Sequence, residues 1–250
     1  MSADLLYTWL LVFLRALGIV LFIPQMAGRS PPVMVRLGLA LCLATLISGM
    51  IAPAAIPASV AGLVFAAVGE VAVGLVLGFV VQIVFQAVDM AGRTASSEIG
   101  LSASPGMGTP AIATEPLAGF LSAFAVVLFF LFGGHLAVIS AFASSFRIAP
   151  AGHAAFNPYA GMFMIDQTAH LVELGLRLAA PFIALNFLVT LAFSVLARAV
   201  PRIGVFILSY PVRGLAGLGL FSGAGALLAR YLYGEFSALP VRMLQMLGPR

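Results

Sequence analysis

Hydrophobic and polar positions alternate along this chain in long blocks rather than in short periods. Six apolar runs stand out, at residues 5–23, 34–51, 60–90, 117–142, 171–200 and 203–233. Most approach or exceed the ~20 residues a helix needs to cross the hydrocarbon layer. Each is therefore predicted to be helical and membrane-embedded. Pro24 closes the first run, residues 25–32 (QMAGRSPP) form a tight polar turn, and Pro53 with Pro57 brackets a short uncharged connection. The third run differs in kind. It would measure about 46 Å as a helix rising 1.5 Å per residue, against a layer of about 30 Å, so it must tilt or project. It carries Glu70, Gln82 and Gln86, and Gly74 and Gly78 form a small-xxx-small pair suited to close helix contact.

The later runs are less regular. The fourth ends on Gly133, Gly134 and His135, and residues 143–170 are an amphipathic interruption holding Arg147, His153, Asp166 and His170. Pro181 breaks the fifth run, whose first turns contain Glu173 and Arg177 in the favourable (i, i+4) order. The last run contains Pro211, Arg213 and a ladder of Gly214, Gly217, Gly219, Gly223 and Gly225. It is predicted to be a broken helix or hairpin rather than one straight span. Irregular backbone at membrane depth is tolerated only against protein or a water-filled cavity. The pattern thus predicts a chain buried among other subunits.

The longest polar interruption, residues 92–116, reads GRTASSEIGLSASPGMGTPAIATEP. It holds no charge between Ile99 and Thr114, and Pro105, Pro110 and Pro116 forbid a continuous helix. One reading is an ordinary extramembrane connection. The other is a plug, favoured by neutrality and by apolar side chains (Ile99, Leu101, Met107, Ile112) unsuited to bulk water. An apolar constriction can shut a wide conduit to ions by dewetting, and a Gly/Pro-rich loop can move aside without unfolding a helix.

Composition narrows the function. The chain is 62% hydrophobic and 8% charged, against about 25% charged in soluble domains. Too little polar surface exists to clothe a water-soluble globule. All twelve basic residues are arginine, which removes a phosphate-loop NTPase and a Schiff-base lysine. A net charge of +4 from scattered arginines suits neither a nucleic-acid groove nor a lipid-binding cluster. The single Cys42 excludes a disulfide framework and a thiolate metal site. Asp4 and the lack of a basic residue or cleavage pattern near the first run argue against a signal peptide. Arginines divide four against three between the two sets of loops, which leaves orientation open.

Few residues invite chemistry. Arg15 lies mid-run, where a charge costs roughly 2.5–3.5 kcal/mol on insertion scales, and Glu70 is its natural partner. The pair reads as a structural tie or as a proton relay. The tie is favoured, because a relay strings several ionisable groups along a path. His135, His153 and His170 stand far apart with no HExxH and no nearby cysteine, so each is expected to be a satisfied interfacial histidine rather than a zinc ligand. No GxSxG elbow or Ser/His/Asp grouping is present. Neither an enzymatic activity nor a cofactor is expected. A small-solute secondary transporter is the rival class, although the two halves show no convincing repeat of the kind such proteins carry.

The ordered set of motifs is similar to the FliR-type subunits of the flagellar and virulence-associated type III export gate. The likeness begins with FLRALGIVLFIP at residues 13–24 and SPPVMVRLGLAL at 30–41. It continues through Glu70-x3-Gly74-x3-Gly78, AGRTASSEIGLS at 91–102 and FFLFGGHL around His135. It ends with NFLVTLAFSVLARAVPRIGVFILSYPVRGLAGL at 186–218, where Arg198, Pro201, Phe206 and Pro211 form the most specific core. The resemblance implies an all-α integral membrane protein with helical hairpins in a spiral assembly. It also implies a non-enzymatic subunit of the inner-membrane gate at the flagellar basal body, more in keeping with the flagellum than the injectisome. Its partners would be FliP-like, FliQ-like and FlhB-like proteins, membrane lipid, and unfolded protein substrates in transit. The family's plug corresponds to about residues 101–117, giving Gly100, Leu101, Ser102, Ser104, Pro105, Met107, Pro110, Ile112 and Pro116 as gate candidates. Where many relatives carry Asp-Pro in this loop, this chain has Ser104-Pro105 and Glu115-Pro116. Packing and subunit-contact candidates are Arg15, Glu70, Gly74, Gly78, His135, Asn186, Arg198, Pro201 and Pro211.

Overall fold

A computed structural model describes residues 3–22, 31–100, 116–154, 158–199 and 205–247, and every regular element among them is an α-helix. In chain order these are α1 (Ala3–Leu21), α2 (Val33–Ser48), α3 (Val60–Glu98), α4 (Pro116–Leu131), α5 (Gly134–Ile148), α6 (Ala160–Ala199) and α7 (Val205–Gln245). Four helices are long and apolar enough to cross a membrane: α1, α3, α6 and the Leu208–Gln245 part of α7. The pair α4–α5, bent by 65°, makes a fifth if read as one broken span, and α2 is shorter. The chain is an all-α integral membrane protein.

Helices α1, α4, α6 and α7 all pack on α3, while α2 rests on α1 and α5 on α7 and α4. The 39 residues of α3 start from a true N-cap, with the Ser59 hydroxyl accepting from the Gly62 amide at 3.1 Å. Helix α1 runs parallel to its first half, Gly18 meeting Gly74 and Ile19 meeting Gly78. Helix α4 runs back along the second half, from Ala118 against Gly92 to Phe129 against Phe85. Helix α6 ascends again, with Gly175 on Met90 and Asn186 on Glu98. Helix α7 descends, from Gly217 on Ile99 to Phe236 on Phe85 and Phe129. The core is thus a layer of Val, Ala, Leu and Phe from α3 with aromatic rings of α4 and α7 interlocked over it.

Three boundaries differ from the sequence reading. Helix α3 does not stop at Met90 but continues to Glu98, so residues 92–98 of the supposed loop are helical. No proline lies in that stretch, Asp89 and Arg93 bridge one turn at 2.7 Å, and Gly92 is covered by Ala118. Much of the interruption at 143–170 is helix as well, since α5 reaches Ile148 and α6 begins at Ala160. The last run is one continuous helix through Pro211 and Pro240, as α6 is through Pro181. Each proline deletes a single backbone bond without ending the helix, whose remaining bonds carry it through. The break foreseen at the Gly-Gly pair is real: Gly133, at φ +71, takes the left-handed conformation between α4 and α5.

Candidate functional site

Two polar constellations stand out against this apolar frame. The first is buried between α1, α3 and the end of α5. The small residues Gly18 and Gly74 bring α1 and α3 so close that a Cβ on Gly18 would sit 2.7 Å from the Leu75 nitrogen, and one on Gly74 would overlap the Arg15 carbonyl. That approach delivers Arg15 to Glu70, both side chains fully inaccessible. Arg15 Nε donates to Glu70 Oε2 at 2.5 Å and Nη2 to Oε1 at 3.0 Å, a bidentate fork. Arg15 Nη1 donates to Ser145 Oγ at 2.9 Å and Nη2 also to the Ala149 carbonyl at 2.9 Å. The Phe146 ring lies 3.9 Å beneath the guanidinium, and the Gly152 amide donates to Glu70 Oε1 at 2.9 Å. Four of the five guanidinium protons and both carboxylate oxygens are therefore answered within one chain, which is the condition for a buried pair to be tolerated. Among the described residues no further ionisable group hydrogen-bonds to the pair, and its bonds join α1, α3 and the end of α5.

The second constellation surrounds the place where the chain leaves α3 and re-enters α4. Gly100, at φ +76, ends α3 against the Tyr210 ring, and α4 starts again beside Gly92. Both ends of the 101–115 segment are thus held at the same end of the bundle. Around them Glu98 accepts from Asn186 Nδ2. Thr190 Oγ1 donates to the Asn186 carbonyl at 2.7 Å, and Arg213 Nη2 donates to Thr190 Oγ1 at 3.1 Å. The result is a polar chain linking α3, α6 and α7. A third tie lies toward the other end of α6 and α7, where His170 Nε2 and Arg242 Nη1 share Glu235 Oε2 at 2.9 and 2.6 Å.

Of the gate candidates, Gly100 ends α3 and Pro116 opens α4, whereas Leu101, Ser102, Ser104, Pro105, Met107, Pro110 and Ile112 lie outside the described residues, as does Pro201. Arg15, Glu70 and Gly74 are brought together, and Gly78 packs on Ile19 and Phe22 next to them. Asn186 faces inward to Glu98 within the chain, while Arg198 and Pro211 are exposed on α6 and α7. His135 differs from the satisfied histidine expected. Its Nδ1 is buried with no hydrogen-bond partner and its ring leans on Phe130. His170 is paired and His153 is exposed in the turn after α5. Ser145, Phe146, Ala149 and Gly152, which complete the Arg15 cage, gave no signal in the sequence, standing 130 or more positions from Arg15 in an unremarkable amphipathic stretch. Arg213, Thr190 and Glu98 were equally silent.

Compared with known proteins, residues 6–239 match the family model described as bacterial export proteins, family 1. The chain is 30% identical over 235 residues to the flagellar biosynthetic protein FliR of Escherichia coli (strain K12), covering 94% of this chain and 89% of that one. It is 27% identical over 214 residues to the protein of the same name from Bacillus subtilis (strain 168), covering 84% and 83%. A third FliR, from Pectobacterium carotovorum subsp. carotovorum, is 30% identical over 137 residues, about half of each chain.

Proposed function

This chain belongs to the bacterial export proteins, family 1, as a membrane-embedded component of the flagellar protein-export apparatus, and from that premise we propose that it is a non-enzymatic structural and gating subunit. In this reading it sits in the bacterial inner membrane with FliP-like, FliQ-like and FlhB-like companions around a conduit for unfolded flagellar proteins. The segment 101–115 closes that conduit at rest.

The observation that carries the reading is the character of the surface α6 and α7 leave open. Only 17% and 11% of their most apolar windows are buried within the chain. The open surface carries exposed leucines such as Leu188, Leu191, Leu215 and Leu218, but they are interrupted by Gly214, Gly219, Gly223 and Gly225, which have nothing within 4 Å of a Cβ position. Lipid gains nothing from bare backbone, whereas a neighbouring helix gains close van der Waals approach. In this reading the cover on this face is other subunits. For the gate, the support is geometric. A neutral, proline-broken segment leaves and returns at one end of the bundle, between anchors at Gly100 on Tyr210 and Gly92 on Ala118.

The test is deletion of Ser102 through Thr114 in cells carrying the native apparatus. We expect ions or small solutes to leak while export of flagellar proteins persists. A deletion that stays tight and exports normally refutes the gate.

A further inference from the structure

The arginines carried by the apolar helices are satisfied to different degrees. Arg15 fills its fork with a carboxylate, a hydroxyl and a carbonyl, and Arg177 pairs with Glu173 at 2.5 Å. Arg213 stands in the apolar window Leu208–Gln245 of α7, about 12 Å along the helix from Val205. Among the described residues it makes one hydrogen bond, from Nη2 to the neutral Thr190 hydroxyl at 3.1 Å, with the Tyr210 ring 5.9 Å from its charge centre. Its Nε–H is covered from solvent and has no acceptor among the described residues. Arg230 on the same helix is exposed, so water and headgroups can reach it. The covered donor of Arg213 has no such recourse, and a covered donor without an acceptor is costly.

We propose that Arg213 is a docking cation for a carboxylate carried by a helix of a neighbouring subunit that lies along the seam between α6 and α7. This rests on the reading of the chain as one subunit of a mixed assembly. The chemistry is the one Arg15 displays internally, where the Nε and Nη2 edge grips both oxygens of Glu70. Arg213 holds the same edge half idle. Turning the half-buried guanidinium out of the seam loses only the Thr190 bond, and Thr190 keeps its own bond to the Asn186 carbonyl. The surroundings suit a protein partner rather than a lipid phosphate. Phe187, Leu191, Val212 and Leu215 are exposed on the same turns and give an approaching helix an apolar footing. The one acid in this chain's own network, Glu98, is already engaged by Asn186.

The test compares Arg213→Met, Arg213→Lys and Arg213→Glu by co-purification of the complex from native membranes in mild detergent, with a Trp9 fluorescence melt to verify folding. Arg213→Met should keep the melt but lower the fraction bound to its companions by about tenfold, a loss of about 1.4 kcal/mol. Lysine should retain part of the binding. The Arg213→Glu defect should be relieved by replacing one Asp or Glu of a companion chain with Arg, even if the single variants fold poorly. Full assembly of the Met variant overturns the proposal. So does relief that maps to Glu98 of this chain, or wild-type binding lost when phosphatidylglycerol in reconstituted vesicles is replaced by phosphatidylcholine. A wild-type chain that purifies without companions refutes the subunit reading itself, an outcome separate from any effect at Arg213.

Discussion

Exchanging Arg15 and Glu70 would ordinarily be expected to preserve an ion pair, and the structure predicts that it will not. The Ser145 hydroxyl already donates to the Phe142 carbonyl at 2.7 Å, so toward Arg15 it offers a lone pair. The Ala149 carbonyl and the negative face of Phe146 are aimed at the same spot, while the Gly152 amide proton is aimed at residue 70. A carboxylate at position 15 would face two acceptors and a π-cloud, and a guanidinium at position 70 would face a donor. Arg15→Met leaves the buried Glu70 carboxylate with the Gly152 amide alone, which should cost about 3–5 kcal/mol, the range for breaking a buried pair. Glu70→Gln removes the charge but keeps an oxygen for the fork, and should cost about 1.5–3 kcal/mol. The swap should be no more stable than Arg15→Met. The Arg15→Met/Glu70→Met double variant should recover part of the loss, because only neutral groups remain unpaired. The single tryptophan, Trp9, stacks on Phe13 of α1 with ring centroids 5.7 Å apart. Its Nε1 donates to Thr45 Oγ1 of α2 at 3.3 Å, so its fluorescence during denaturant titration in micelles reports whether α1 stays docked. A swapped protein within about 1 kcal/mol of wild type, well inside the 3–5 kcal/mol expected of a broken pair, would refute the polarised-cage reasoning.

Other outcomes follow from single contacts. Gly74→Ala forces a methyl onto the Arg15 carbonyl and should destabilise by about 1–3 kcal/mol. Gly38→Ala, with open space around it, should be neutral or stabilise α2 by about 0.5–1 kcal/mol; equal melts for the two would contradict the close α1–α3 approach. Asn186→Leu strips Glu98 of its donor and should lower stability by about 1–3 kcal/mol, with faster hydrogen exchange in the last turn of α3; unchanged exchange there would sink the tie. Ser59→Ala removes the α3 cap and should cost about 1 kcal/mol, read as a lower midpoint in the same titration.

Membrane insertion, the long third helix and the Arg15–Glu70 encounter were legible because each rests on composition, run length or a charge stranded in an apolar stretch. The Gly74–Gly78 spacing likewise announced a close helix contact. Helix ends were harder. Proline at 181 and 211 looks like a break when only local propensity is weighed, yet α6 and α7 run continuously through them. Residues 92–98 looked like loop because serine, threonine and glycine are poor helix formers, but Ala118 and the Asp89–Arg93 bridge carry the helix through. The acceptors around Arg15 and the Glu98–Asn186–Thr190–Arg213 chain were invisible because they join residues that only the fold places side by side.

Native mass spectrometry of the complex drawn from bacterial membranes in mild detergent tests the central claim most directly. The account predicts this chain in a particle with several copies of other export-gate proteins, their helices cross-linking to the open face of α6 and α7. A particle made of this chain alone, monomeric or symmetric, would contradict it.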